Sequence, residues 1–118
     1  MKLGISTYCL VDKLRDGEMT VLDVLEWAKE HRCEHVELVP YGYSLVDDGE
    51  LAERVRRKAE QLGLELSNYA LPANFAHDAD EDFHAEVERL KSHVDLLAAM
   101  GLRSMRHDVV LFTIPQEE

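Results

Sequence analysis

Cysteine, proline and glycine are scarce in this 118-residue chain, at two, three and six residues. Cys9 and Cys33 form no CxxC pair and no metal-ligand spacing, which excludes a disulfide framework and a zinc knuckle. Each stands among apolar neighbours and reads as a buried free thiol. No run reaches 18 consecutive apolar residues, so no membrane-spanning helix is expected. The opening Met1-Lys2-Leu3-Gly4-Ile5-Ser6 lacks the long apolar stretch and small-residue cleavage site of a secretory leader, and a cytoplasmic location is the expectation. Positive charge is also in short supply. Thirteen Lys and Arg face 24 Asp and Glu, a net charge of −11, which argues against a nucleic-acid partner and against an anionic membrane surface. A phosphorylated small molecule stays open, because one Arg and a few backbone N–H groups hold a phosphate locally. No GxGxxG, GxxxxGK[ST] or GxSxG is present, and no PCxxC follows His84-Ala85-Glu86, so the usual nucleotide, hydrolase and deaminase signatures are missing.

What the chain does have is a repeated plan. Leu3 to Leu10 is short, apolar and β-branched, and reads as a strand followed by a polar turn at Asp12 to Glu18. Thr20 and Asp23 form a helix start, with Val21, Val24, Leu25 and Ala28 on one face up to His31. His35 to Val39 is a second strand, ended by Pro40. Asp47-Asp48-Gly49 opens a second helix with Leu51, Val55, Ala59 and Leu62 on its apolar face, and Gly63 stops it. Leu64 to Leu71 is a third strand before Pro72. A third helix begins near Asp80 to Asp82, with Phe83, Val87, Leu90, Val94 and Leu97 as its stripe, and ends at Gly101. Arg103 to Phe112 reads as a fourth strand. The joints Gly63-Leu64 and Gly101-Leu102 share a helix-closing pattern. The first joint offers Arg32-Cys33, where either Arg32 takes φ > 0 without glycine's freedom, at about 1 kcal/mol of strain, or the helix ends differently.

Strand and helix alternating with short connections predict βαβ units and a parallel sheet. A doubly wound open sheet would be complete at this length, whereas eight such units need about 250 residues. The open-sheet reading lacks its markers: the loop after the first strand, Tyr8 to Lys13, has no glycine cradle, and Leu3 to Leu10 carries no Asp cluster.

Four segments taken together, Lys2-Leu3-Gly4-Ile5-Ser6-Thr7-Tyr8, His35-Val36-Glu37-Leu38, Leu64-Glu65-Leu66-Ser67-Asn68-Tyr69 and Ser104-Met105-Arg106-His107-Asp108-Val109, resemble the xylose isomerase-like TIM barrels. That superfamily includes sugar-phosphate isomerases and epimerases, hydroxypyruvate isomerase, inosose dehydratase and, more distantly, endonuclease IV. The resemblance runs from Met1 to about Pro115 and implies an α/β chain of parallel (β/α) units forming about half of a TIM barrel, with four strands and three helices. On this reading residues 1–118 are the N-terminal half of a (β/α)8 barrel, truncated before the second half. The parent would isomerise or epimerise a small sugar or sugar phosphate by metal-dependent proton transfer beside a carbonyl. The alternatives are a lyase of the same superfamily, inosose dehydratase-like, or a non-catalytic half-barrel for binding or assembly. The resemblance places the divalent metal and its Glu, Asp, His and Glu ligands on later strands, so the parent is expected to hold a metal and this chain none. No catalytic residue and no metal ligand is assigned within the chain.

Barrel sites lie at the C-terminal ends of strands, which makes Glu37, Asn68, Arg106 and His107 the substrate-binding candidates. Glu37, between Val36 and Leu38, either holds a substrate hydroxyl or pairs with an Arg, since a lone carboxylate in a parallel sheet is costly. Alternation sends Arg106 and Asp108 one way and His107 the other. An inward His107 would bond a sugar hydroxyl or carbonyl; an inward Arg106 would neutralise Glu37 or grip an anion. Asn68 and Tyr69 end the third strand, and Tyr8 and Tyr41 would wall the pocket. His77, His84 and His93 are expected away from the strand ends. Four strands cannot close a barrel, and the expected partner besides the sugar is a second copy, paired through exposed apolar sheet edges.

Overall fold

The computed structural model describes residues 1–110. Its strands are β1 (Gly4–Ser6), β2 (His35–Leu38), β3 (Glu65–Leu71) and β4 (Met105–His107), all parallel, in the order β1-β2-β3-β4. Its helices are α1 (Val11–Asp16), α2 (Val21–Glu30), α3 (Gly49–Leu62) and α4 (Asp80–Met100). This is the α/β arrangement of successive parallel units expected of half a barrel, with one helix more than the three expected. The addition is α1, which replaces the expected turn at Asp12 to Glu18. The first strand is correspondingly shorter: after Ser6 the chain closes into a 3-10 turn, Thr7–Leu10. The last part of the expected fourth strand lies outside the described residues.

The starts of α2 and α3 and the exits of all three long helices have local reasons. Thr20 Oγ1 accepts the Asp23 N–H at 3.2 Å while the Asp23 carboxylate accepts the Thr20 N–H at 2.8 Å, a reciprocal capping box for α2. Asp48 caps α3 by accepting the Leu51 N–H at 3.0 Å. The three exits are copies of one another. The N–H groups of Cys33, Leu64 and Leu102 donate back to the carbonyls of Ala28, Ala59 and Leu97 at 2.9, 2.9 and 3.0 Å. The residue before each lies at positive φ, Gly63 at 67°, Gly101 at 78° and Arg32 at 64°. The strained Arg32 is thus real: the closing motif overrides the side chain's preference.

Helices α2, α3 and α4 cover one face of the sheet. Val21, Leu25, Ala28, Ala52, Val55, Ala59, Leu90, Leu97 and Met100 pack there on Val36, Leu38, Tyr69 and Leu71. The stripe of α4 is rotated from the expected one. Phe83 and Val94 are 41% and 50% exposed, while His93 and Met100 are buried. Cys33 is buried as expected, but Cys9 is exposed, because its residue lies in the 3-10 turn rather than in a strand.

The opposite face bears no helix among the described residues. Its positions are Gly4 and Ser6 on β1, His35 and Glu37 on β2, Asn68 and Ala70 on β3, and Arg106 on β4. The residues there are small or polar, which lowers the cost of leaving the face open to water.

Candidate functional site

A register shift in β3 builds the open face. Val36 pairs with Leu66, but Glu37 pairs with Asn68, so Ser67 is an extra residue in the ladder. Strict alternation from Leu66 would turn Asn68 toward the helices and Tyr69 toward the open side. The bulge resets the phase, placing Tyr69 in the core and Asn68 opposite Glu37. Two side-chain bonds result. Asn68 Nδ2 donates to Glu37 Oε2 at 2.9 Å, and His35 Nδ1 meets Ser67 Oγ at 3.0 Å. Gly4 makes room for the second: a Cβ there would stand 2.0 Å from the His35 ring.

At the C-terminal ends of the strands this face opens into a cavity of about 480 Å³. Ser6, Glu37, Ala70, Arg106 and Asp108 form its floor and walls, with Tyr8 and Tyr41 at the rim. Tyr8 is 55% exposed and meets Tyr41 edge-on at a centroid distance of 5.7 Å. Arg15 lies over the Tyr41 ring at 5.1 Å, which anchors the rim to α1. Arg106 Nη2 donates to Asp108 Oδ1 at 3.0 Å. The cavity therefore offers a carboxylate held by an amide, a guanidinium balanced by a second carboxylate, and two aromatic rings.

Of the four candidates, Glu37 and Arg106 share this cavity and Asn68 sits directly behind Glu37. Glu37 finds an amide partner rather than an Arg. His107 is placed differently: it pairs in register with Leu71, on the covered side, and its ring lies edge-on to Phe75 at 5.9 Å. The alternation of Arg106 and Asp108 against His107 is as expected, and it directs the arginine, not the histidine, to the cavity. Ser6 follows from the same alternation through Gly4.

Two buried polar contacts behind the site have no signal in the pattern. Thr7 is fully buried just after β1. Its Oγ1 accepts the Val39 N–H at 2.8 Å and faces the Val39 carbonyl at 3.1 Å and Tyr43 Oη at 3.1 Å. The side chain thus continues the β1–β2 ladder where the backbone has turned away. Burial pushes the Tyr43 hydroxyl far above its usual range, so it is protonated. The second contact joins Tyr69 Oη to His93 Nδ1 at 3.0 Å. Burial raises Tyr69 to about 12, and burial together with Arg89 lowers His93, so both shifts favour the uncharged form of the group. His93 is 5% exposed, close behind the end of β3 rather than away from the strand ends.

Glu37 and Asp108 are the carboxylates a cation would meet in the cavity, and each is already engaged, by Asn68 and by Arg106. No group of three or more His, Cys, Asp or Glu is gathered among the described residues. This wall by itself does not fit a divalent-metal site. No helix among the described residues is long and apolar enough to cross a membrane. Comparison with protein-family models and with curated proteins returned no match.

Proposed function

We propose that this sheet is the substrate-binding wall of a sugar or sugar-phosphate isomerase or epimerase, acting in the cytoplasm. The observation that carries the reading is the cavity at the C-terminal ends of four parallel strands, where Glu37, Arg106 and the two tyrosines converge. Glu37 accepts from a sugar hydroxyl, Arg106 attracts an anionic group, and Tyr8 and Tyr41 cover the apolar edge of the carbon chain. Proton transfer beside the carbonyl, and the divalent metal of the resembling family, are assigned to groups outside this wall.

The test is a panel of pentose and hexose phosphates, the unphosphorylated sugars and inorganic phosphate, titrated into the isotopically labelled chain. A phosphorylated sugar should shift the resonances of Glu37 and Arg106 with saturation. Replacing Glu37 by Gln or Arg106 by Gln should weaken binding about tenfold or more, the loss of one charge-assisted hydrogen bond. If no sugar or sugar phosphate shifts the cavity residues at millimolar concentration, the reading is wrong.

We also propose that the chain pairs with a second copy through β1 and β4, whose outer backbone groups face no neighbour strand among the described residues, in the order β1-β2-β3-β4. Leu3 and Val109, both exposed, flank these edges. Ultracentrifugation at low micromolar concentration should give twice the 13.5 kDa mass; a single 13.5 kDa species would refute the pairing.

A further inference from the structure

The amide of Asn68 is a planar group on a soft terminal torsion, and its two neighbours hold its two ends. Its Nδ2 end faces Glu37 at 2.9 Å, and its Oδ1 end faces Ser104 Oγ at 3.0 Å. A carboxylate only accepts, so Glu37 selects the NH₂ end. A carbonyl oxygen only accepts, so the Ser104 hydroxyl must be the donor to Oδ1. The same hydroxyl stands 3.0 Å from the Ser67 carbonyl, the extra residue of the bulge, and shares its single proton between the two acceptors.

We infer that Ser104 is a positioning residue for the Glu37 carboxylate, acting through Asn68 and tied to the β3 bulge at Ser67. The inference rests on the proposed role of Glu37 as a substrate-hydroxyl acceptor. Ser104 immediately precedes β4, whose next cavity residue is Arg106. One hydroxyl therefore links the loop that enters β4 to the carboxylate on β2, across β3. The bulge supplies the second acceptor, which holds the Ser104 hydroxyl over the sheet rather than leaving it free to turn toward water. A flipped Asn68 would bring its carbonyl against Glu37, so loss of the Ser104 donor removes the force that opposes the flip on that side.

The experiment follows the Asn68 side-chain amide by NMR in the whole chain, assigned by its disappearance in N68D. In the unaltered chain it should give one pair of well-separated proton resonances, the signature of a fixed amide in a charge-assisted bond. S104A should collapse that separation and move the pair toward the position seen in E37Q, while S104T restores it. The backbone resonances of β2 and the midpoint of thermal unfolding should stay where they were, which a merely structural role for Ser104 would not predict. If S104A disturbs the whole β3–β4 ladder, S104C, which keeps the volume and gives up the strong donor, decides on the same signal. An Asn68 pair unchanged in S104A or S104C but lost in E37Q would overturn the inference, because Glu37 alone would then hold the amide. None of these signals needs a ligand, so they fail or succeed independently of the sugar-phosphate reading. Where a sugar phosphate does bind, S104A and N68A should weaken it by similar factors, about tenfold or less, and the double variant no more than N68A alone.

Discussion

The two faces of this sheet are drawn from the same few residues and obey opposite rules. In β2, Val36 and Leu38 are fully buried against the helices, while His35 and Glu37, between and beside them, remain half-buried on the other side. The covered face holds its shape by apolar packing, with its polar exceptions satisfied in private pairs such as Tyr69 with His93. The open face holds its shape by hydrogen bonds between side chains: His35 with Ser67, Glu37 with Asn68, Asn68 with Ser104 and Arg106 with Asp108. Stability is therefore concentrated on one side and chemical character on the other. A substitution should report which face it touches by what it changes.

The largest contrast is between neighbours. Leu38→Ala removes a fully buried side chain and should cost about 2–5 kcal/mol. Glu37→Gln, one residue away, should change stability by about 0.5 kcal/mol or less, as for a position outside the packed core. Urea denaturation of both variants checks the pair, and comparable losses would break the division between the faces.

Thr7→Val tests the hinge between the faces. It keeps the shape but leaves the Val39 N–H and carbonyl without their side-chain partner, a loss of about 1–3 kcal/mol. Thr7→Ser, which keeps the hydroxyl, should recover most of it. A Val variant as stable as the parent would mean that the ladder does not need this extension.

His93 gives the covered face a pH dependence. Its neutral form is favoured in the fold, by burial first and by Arg89 second, against the weaker pull of Asp47 and Glu86. Its folded pKa is thus below the unfolded value of 6.5. The unfolded chain binds the proton more readily, so this contribution is complete above pH 6.5 and is lost as pH falls toward the folded pKa. His93→Gln keeps a partner for Tyr69 and does not titrate. Its stability should be flatter than the parent's just below pH 6.5, as read by thermal unfolding across that range.

The smallest effect belongs to the solvent side of α3. Arg56 and Arg57 both bond Glu53, and the Arg56 hydrogen bond is the main cause that holds its carboxyl near 2. This contribution is present above the unfolded value of 4.5 and fades as pH drops toward 2, a window separate from that of His93. Glu53→Gln should lower stability only slightly, and less still in high salt, as read by urea denaturation. A salt-independent loss as large as that of Thr7→Val would place Glu53 in the folding core rather than on a solvated face.

Much of this architecture was legible in the sequence because its determinants are local. Thr20 with Asp23, Asp48, and the Gly-Leu pairs at 63–64 and 101–102 act within one turn of chain, and matching three joints left the strained Arg32 as one of two endings, the one the fold takes. The alternation of Arg106, His107 and Asp108 is equally local, and so is the apolar pattern of Val36 and Leu38. These segments determined an α/β chain of parallel units. Tertiary structure decided the rest, because the remaining determinants compare residues far apart in the chain. The bulge at Ser67 exists only in the pairing of β3 with β2, and without it Asn68 would face the helices. The burial of His93 instead of Val94 depends on how α4 is rotated against Tyr69, 24 residues earlier. The side of the strand that His107 occupies follows from its register against Leu71, and the reach of Thr7 to Val39 spans 32 residues. Periodicity identifies faces within one element; which face meets which neighbour is set by packing between elements, where a shift of one residue reverses every side chain.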